Sequence, residues 1–174
     1  MSGHPFRTII SAERIHARVR ELGAEIARDH PEGTLYLVGV LTGSCVFLAD
    51  LARAIPRPVR FAFIGASSYG SEKASSGQVK ITKGLDVTVE GAHVVVVEDI
   101  VDTGTTLACL LGELAAQRPK TLRVVTLLDK PERRRCAAPV DYVGFTIPNQ
   151  FVVGYGMDYD EDYRNLRDVC VLSD

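Results

Sequence analysis

Val94-Val95-Val96-Val97-Glu98-Asp99-Ile100-Val101-Asp102-Thr103-Gly104-Thr105-Thr106 decides how this chain folds. Four successive valines read as a strand buried on both faces. Glu98 and Asp99 follow at its carboxyl end, then Asp102, and Leu107 to Leu114 read as a helix. In an open α/β sheet, the carboxyl edge of the strands is where ligands bind. Thr103, Gly104, Thr105 and Thr106 open the helix with free backbone N–H groups, small hydroxyls and one glycine, which is a cradle for a phosphate. Three carboxylates beside a phosphate repel it unless they hold a cation, ribose hydroxyls or a proton in transit. A phosphorylated sugar with Mg²⁺ fits both halves of the motif. Adjacent strand residues point to opposite sides. Both Glu98 and Asp99 therefore face a ligand only if the strand ends or bends at Glu98; otherwise one of them is structural.

Around this segment, strand and helix patterns alternate. Ser11 to Asp29 carries Ile15, Val19, Leu22 and Ile26 at helical spacing, with Ser11 as N-cap. Leu35 to Val40 reads as a buried strand, Thr42-Gly43-Ser44 as a turn, and Cys45 to Ala54 as a helix. Val59 to Ala66 is a strand. Gln78 to Thr82 and Val87 to Val89 suggest a hairpin around Lys83-Gly84. The signature helix runs from Gly104 to Gln117. Leu122 to Leu128, Tyr142 to Phe145 and Phe151 to Tyr155 read as further strands. This alternation predicts an α/β fold with a mostly parallel twisted sheet and helices on both faces. Ser67 to Gly77 is rich in Ser and Gly and reads as a mobile loop.

The 174 residues suit one domain, and 46% hydrophobic residues are enough for a core. The formal net charge of -2 gives no electrostatic reason to expect a nucleic-acid partner, and Arg133-Arg134-Arg135 reads as a solvated face. No apolar run approaches the ~20 residues that a membrane helix needs. Cys45, Cys109, Cys136 and Cys170 are scattered, suggest neither zinc nor a disulfide framework, and fit reduced thiols in the cytoplasm. There is no Gly-Lys-Ser/Thr and no Gly-x-Gly-x-x-Gly, so kinase and dehydrogenase readings lose their main support. Asp-Thr-Gly also occurs in aspartic proteases, but there it belongs to an all-β fold and not to a turn entering a helix.

Glu98 to Thr106 resembles the phosphoribosyl pyrophosphate (PRPP) signature of the type I phosphoribosyltransferases. Val40-Leu41-Thr42-Gly43-Ser44 resembles their first active-site loop, and Ser68-Tyr69 the opening of their long flexible loop. Leu127-Leu128-Asp129-Lys130 and Phe151 to Tyr159 are similar to the purine-binding segments of the hypoxanthine-guanine members. The similarity is collinear from about residue 7 to the end.

The resemblance implies one domain over residues 1–174, with a flexible loop at about 67–78 and a small hood from the N-terminal segment and about 145–174. It implies Mg²⁺-dependent transfer of 5-phosphoribosyl from PRPP to hypoxanthine or guanine in a cytoplasmic homodimer or homotetramer. Asp102 is then the acid/base at the purine N7. Glu98, Asp99, Thr103, Gly104, Thr105, Thr106, Thr42, Gly43 and Arg164 meet PRPP or its phosphates. Lys130, Phe151, Val152 and Asp158 meet the purine. Glu98, Asp99 and Asp158 are candidate metal ligands, and Ser68 and Tyr69 belong to the lid. The resemblance also implies a cis peptide at Leu41-Thr42. Two positions depart from the family pattern: many relatives carry Lys where this chain has Thr42, and some where it has Thr105. A PRPP-sensing regulator of the same fold and a xanthine-preferring enzyme are the alternative readings.

Overall fold

The computed structural model describes residues 6–68 and 79–172. Its central sheet contains β2 (Leu35–Leu41), β3 (Arg60–Ser68), β4 (Val79–Lys83), β5 (His93–Val101), β6 (Thr121–Asp129) and β7 (Tyr142–Thr146). Their order is β4-β3-β2-β5-β6-β7. All pairs are parallel except β3 with β4. The chain winds outward from β2 to β3 on one side and from β5 through β6 to β7 on the other. The order therefore reverses between β2 and β5, and a crevice opens there at the carboxyl ends.

The valine run fixes the centre. Val94, Val95, Val96 and Val97 are each fully buried. Val95 and Val97 pack in a core with Ile15, Leu22, Phe47 and Leu51 from α1 (Ala12–Asp29) and α2 (Cys45–Ala54). Val94 and Val96 pack with Leu107, Leu110 and Leu114 of α3 (Thr105–Ala116). Alternation along one strand thus sends side chains into two cores, with helices on both faces as the sequence predicts. The Ser11 hydroxyl caps α1 by accepting from the Arg14 N–H at 3.5 Å.

A second, antiparallel sheet joins the chain ends: β1 (Phe6–Ile10), β9 (Val169–Leu172) and β8 (Val152–Val153), in that order. Neither β1 nor β9 is expected from local pattern. The expected hairpin around Lys83-Gly84 does not form, because β4 pairs with β3 instead. Val89 is fully buried among the residues under α3, so its hydrophobicity serves the core and not a strand partner.

Below the sheet, His30 and His93 meet edge to face at 5.1 Å. His93 Nδ1 lies 2.8 Å from Thr121 Oγ1. Burial, with nearby His30, Lys120 and Arg57, holds the His93 imidazole below its usual range. A histidine with a lowered folded pKa must take up a proton on unfolding. Its contribution is complete above the unfolded value of about 6.5 and is lost as pH falls toward the folded value. Melting curves for the wild type and His93→Gln should therefore diverge above pH 6.5 and converge below it. Parallel curves from pH 8 to pH 5 would contradict this.

Candidate active site

At the carboxyl ends of β5 and β6 lies a cavity of ≈ 200 Å³ lined by Asp99, Ile100, Asp102, Lys130, Phe151, Val152, Met157 and Asp158. Six of these are sequence-predicted site residues, drawn from β5, the turn after it, the residue following β6, and residues 151–158 in and around β8. Ile100 and Met157 were not anticipated as lining residues, although Met157 sits inside the segment that resembles a purine-binding motif.

Glu98 does not line this cavity. It is buried, and strand alternation puts it with Val94 and Val96 on the α3 side. Burial pushes its carboxyl well above the usual carboxylate range, and the Asp99 charge adds to the rise. Asp99 is also raised by burial, against the Ile100 N–H that donates to it at 2.9 Å and the nearby Arg164 charge. Asp99 and Ile100 are neighbours yet both line the cavity, so alternation breaks between them and not at Glu98. Among the described residues, no three His, Cys, Asp or Glu side chains converge as a metal cluster. Glu98, Asp99 and Asp158 therefore do not meet as one ligand set.

Gly104 caps α3 with φ +82, a left-handed conformation that favours glycine. A Cβ there would press on Ala138 and on Arg134 Cδ, each at 2.9 Å. Thr103 Oγ1 accepts from the Thr105 N–H at 3.4 Å, and the hydroxyls of Thr103 and Thr105 lie 3.3 Å apart. Thr103, Thr105 and Thr106 remain partly exposed at the helix start, where first-turn N–H groups lack intrahelical partners.

The first loop is pinned from two sides. The Leu41-Thr42 peptide is cis, as the resemblance implies. A Cβ on Gly43 would overlap Asp99 Oδ2, and a Cβ on Gly156 would overlap the Gly43 carbonyl. Thr42 is exposed. Arg164 pairs with Asp158 at 2.9 Å and donates to the Gly156 carbonyl at 2.7 Å. It lines a separate cavity of ≈ 300 Å³ with His16, Asp50 and Tyr155, and not the first cavity.

Lys130 is buried, and burial pushes its ammonium below the usual lysine range against the attraction of Asp102. Phe151 is 56% exposed, so its ring face is open to a flat partner, and it meets Tyr159 edge to face at 5.7 Å. The Arg133-Arg134-Arg135 run is not simply a solvated face. Arg133 Nε donates to Asp102 Oδ1 at 2.9 Å, and Arg134 Nη1 donates to the Asp102 carbonyl at 2.7 Å and pairs with Asp129. The Arg135 N–H donates to the Thr103 carbonyl at 2.9 Å. A charge triplet carries no signal for this, since Asp102 lies 31 residues before Arg133. Tyr69 and the rest of the expected lid fall outside the described residues. Of Ser68 only the backbone, at the end of β3, is described.

A phosphoribosyl transferase domain model matches residues 8–160. The hypoxanthine-guanine phosphoribosyltransferase of Mycobacterium avium is 50% identical over 94% of this chain and 84% of its own length. The hypoxanthine phosphoribosyltransferase of Haemophilus influenzae is 46% identical over 95% of this chain and 94% of its own. A crystal structure of a hypoxanthine-guanine phosphoribosyltransferase from Bacillus anthracis superposes with a TM-score of 0.91 and 46% identity, covering 96% of this chain and 98% of that one. With that likeness along nearly its whole length, and with a glycine-capped helix start and a carboxylate-lined cavity at the carboxyl end of β5, the chain belongs to the phosphoribosyltransferase family, in its hypoxanthine-guanine branch.

Proposed function

We infer that this protein is a purine salvage enzyme that moves 5-phosphoribosyl from PRPP to hypoxanthine or guanine, releasing pyrophosphate. The observation that carries the reading is the meeting of Asp102, Lys130, Phe151 and Val152 around one cavity beside the phosphate cradle. In the reaction, the bond from the ribose anomeric carbon to pyrophosphate breaks and a bond to purine N9 forms. The N7 proton passes to the Asp102 carboxylate. Thr103 to Thr106 hold the 5-phosphate through N–H groups and hydroxyls. Phe151 covers the ring face, and the Val152 backbone reads the base edge. Thr42 and Gly43 offer backbone groups to pyrophosphate, and Arg164 adds charge on that side.

Asp99 and Asp158 share the cavity, and the Asp158 charge helps raise the Asp99 carboxyl. This fits Mg²⁺, which takes one or two carboxylates and completes its shell with waters and phosphate oxygens. Bound there, Mg²⁺ would offset the charge of the leaving pyrophosphate. Glu98, buried on the other face, supports Asp99 from behind the strand. The small sheet of β1, β9 and β8 forms a hood over the base pocket, within one catalytic domain. Four free cysteines fit a cytoplasmic protein, and exposed Phe61 and Val46 fit a homodimeric or homotetrameric assembly.

Lys130 donates to the 6-oxo group, which adenine lacks. Charged hydrogen bonds are worth about 1.5–3 kcal/mol, so Lys130→Met should raise KM for hypoxanthine by about 10- to 100-fold and leave KM for PRPP near wild type. An unchanged hypoxanthine KM would remove Lys130 from the base site. Mass spectrometry of the product tests the reaction itself: inosine 5′-monophosphate should appear from hypoxanthine and guanosine 5′-monophosphate from guanine. Recovery of unchanged base with PRPP and Mg²⁺ present would overturn the reading.

A further inference from the structure

We propose that Arg133 is a positioning residue that holds one carboxylate oxygen of Asp102, turning the acid/base toward the purine and keeping it off the Lys130 ammonium. The proposal rests on the roles of Asp102 and Lys130 given above.

Asp102 and Lys130 line the same cavity with opposite charges. An unrestrained carboxylate beside a buried ammonium would pair with it. Such a pair would occupy the donor meant for the purine 6-oxo group and the acceptor meant for N7. Among the described residues, the Lys130 ammonium instead makes no carboxylate pair within 4 Å, and the Asp102 partner is Arg133, at 2.9 Å through Oδ1. The other oxygen, Oδ2, is left for the base.

The local backbone puts Arg133 where it can do this. The Lys130 N–H donates to the Val101 carbonyl at 3.0 Å, and the Arg133 N–H donates to the Lys130 carbonyl at 3.1 Å. Pro131 opens the short 3-10 helix Pro131–Arg133, with φ preset by its ring. One turn of chain thus links the strand end before Asp102 to both Lys130 and Arg133. Arg134 and Arg135 fix the backbone of the Asp102-Thr103 turn, whereas Arg133 touches the Asp102 side chain. Lys130 feels the attraction of Asp102 and the opposing charge of Arg133. The Arg133–Asp102 pair is half-exposed, with side-chain exposures of 41% and 39%, so water can replace the guanidinium without opening the core.

The test is a double-mutant cycle with Arg133→Met and Asp102→Asn, read as separate kcat and KM values. In the wild-type background, Arg133→Met should lower kcat about ten-fold, within the range by which contacting residues couple. It should also raise KM for hypoxanthine several-fold and leave KM for PRPP unchanged. In the Asp102→Asn background it should change neither. Arg133→Lys, which keeps the charge and a donor, should recover most of the lost turnover, and it serves as the reporter if Arg133→Met folds poorly. An equal fall in both backgrounds, unchanged kinetics in Arg133→Met, or no recovery with Lys would overturn the proposal. An inactive wild type would instead mark failure of the phosphoribosyl-transfer reading.

Discussion

Asp102→Asn should lower turnover by about 10²- to 10⁴-fold, the usual contribution of a positioned acid or base, with the fold intact. The amide keeps the size of the carboxylate and one acceptor oxygen for Arg133 Nε, but it cannot take the purine N7 proton. Because the side chain is 39% exposed at the cavity edge, the change opens no hole in the core. The Asp102 backbone stays fixed, since the Arg134 guanidinium grips its carbonyl and not its side chain. The check is single-turnover kinetics with PRPP and hypoxanthine beside a thermal melt. Wild-type turnover in a folded variant would remove Asp102 from the chemistry.

Gly43→Ala has the second largest expected effect, and its cause is steric. A Cβ at this position would overlap Asp99 Oδ2. The loop cannot retreat, because the Gly43 carbonyl already packs against Gly156, where even one added carbon would clash. Asp99 must therefore leave the place it takes in the cavity. Misplacing a binding group by about 1 Å can cost about 10²-fold, and kcat/KM for PRPP should fall by that order. Overpacking should also lower stability by about 1–3 kcal/mol. Gly112→Ala in α3 is the control. Nothing lies within 4 Å of a Cβ there, so the substitution should gain roughly 0.5–1 kcal/mol of helix stability and leave activity unchanged. A fully active Gly43→Ala would show that Asp99 tolerates displacement.

The contrast between these positions marks what local sequence can convey. The place of Asp102 at the carboxyl edge of the sheet was legible because its neighbours declare it, a buried strand, a turn and a helix start in thirteen residues, whereas its acid/base role came from resemblance alone. The cavity-lining residues downstream of the signature, Lys130 and the segment at Phe151, were picked out through resemblance to purine-binding motifs and not through pattern. Alone, each has the look of a surface lysine or a core aromatic. The pairing of β1 with β9 was not legible, because it joins the two ends of the chain, as in Phe6 with Leu172, and neither strand is long enough to announce itself. β4 was found as a strand but given the wrong partner, since Val87 to Val89 carry strand-like residues whose burial is under α3. Strand alternation correctly separated Glu98 from Asp99, but it could not say that the break comes one residue later, at Ile100. Arg133 and Arg134 look like solvent charge in sequence, and their importance lies in tertiary contacts to the Asp102 turn.

The central claim is that this cavity reads a 6-oxopurine and couples it to PRPP. The initial rate of pyrophosphate release, measured with PRPP, Mg²⁺ and one base at a time, tests it most directly. The account predicts rapid release with hypoxanthine and guanine, and release with adenine no faster than with no base. Equal release with every base, or none with any, would contradict it.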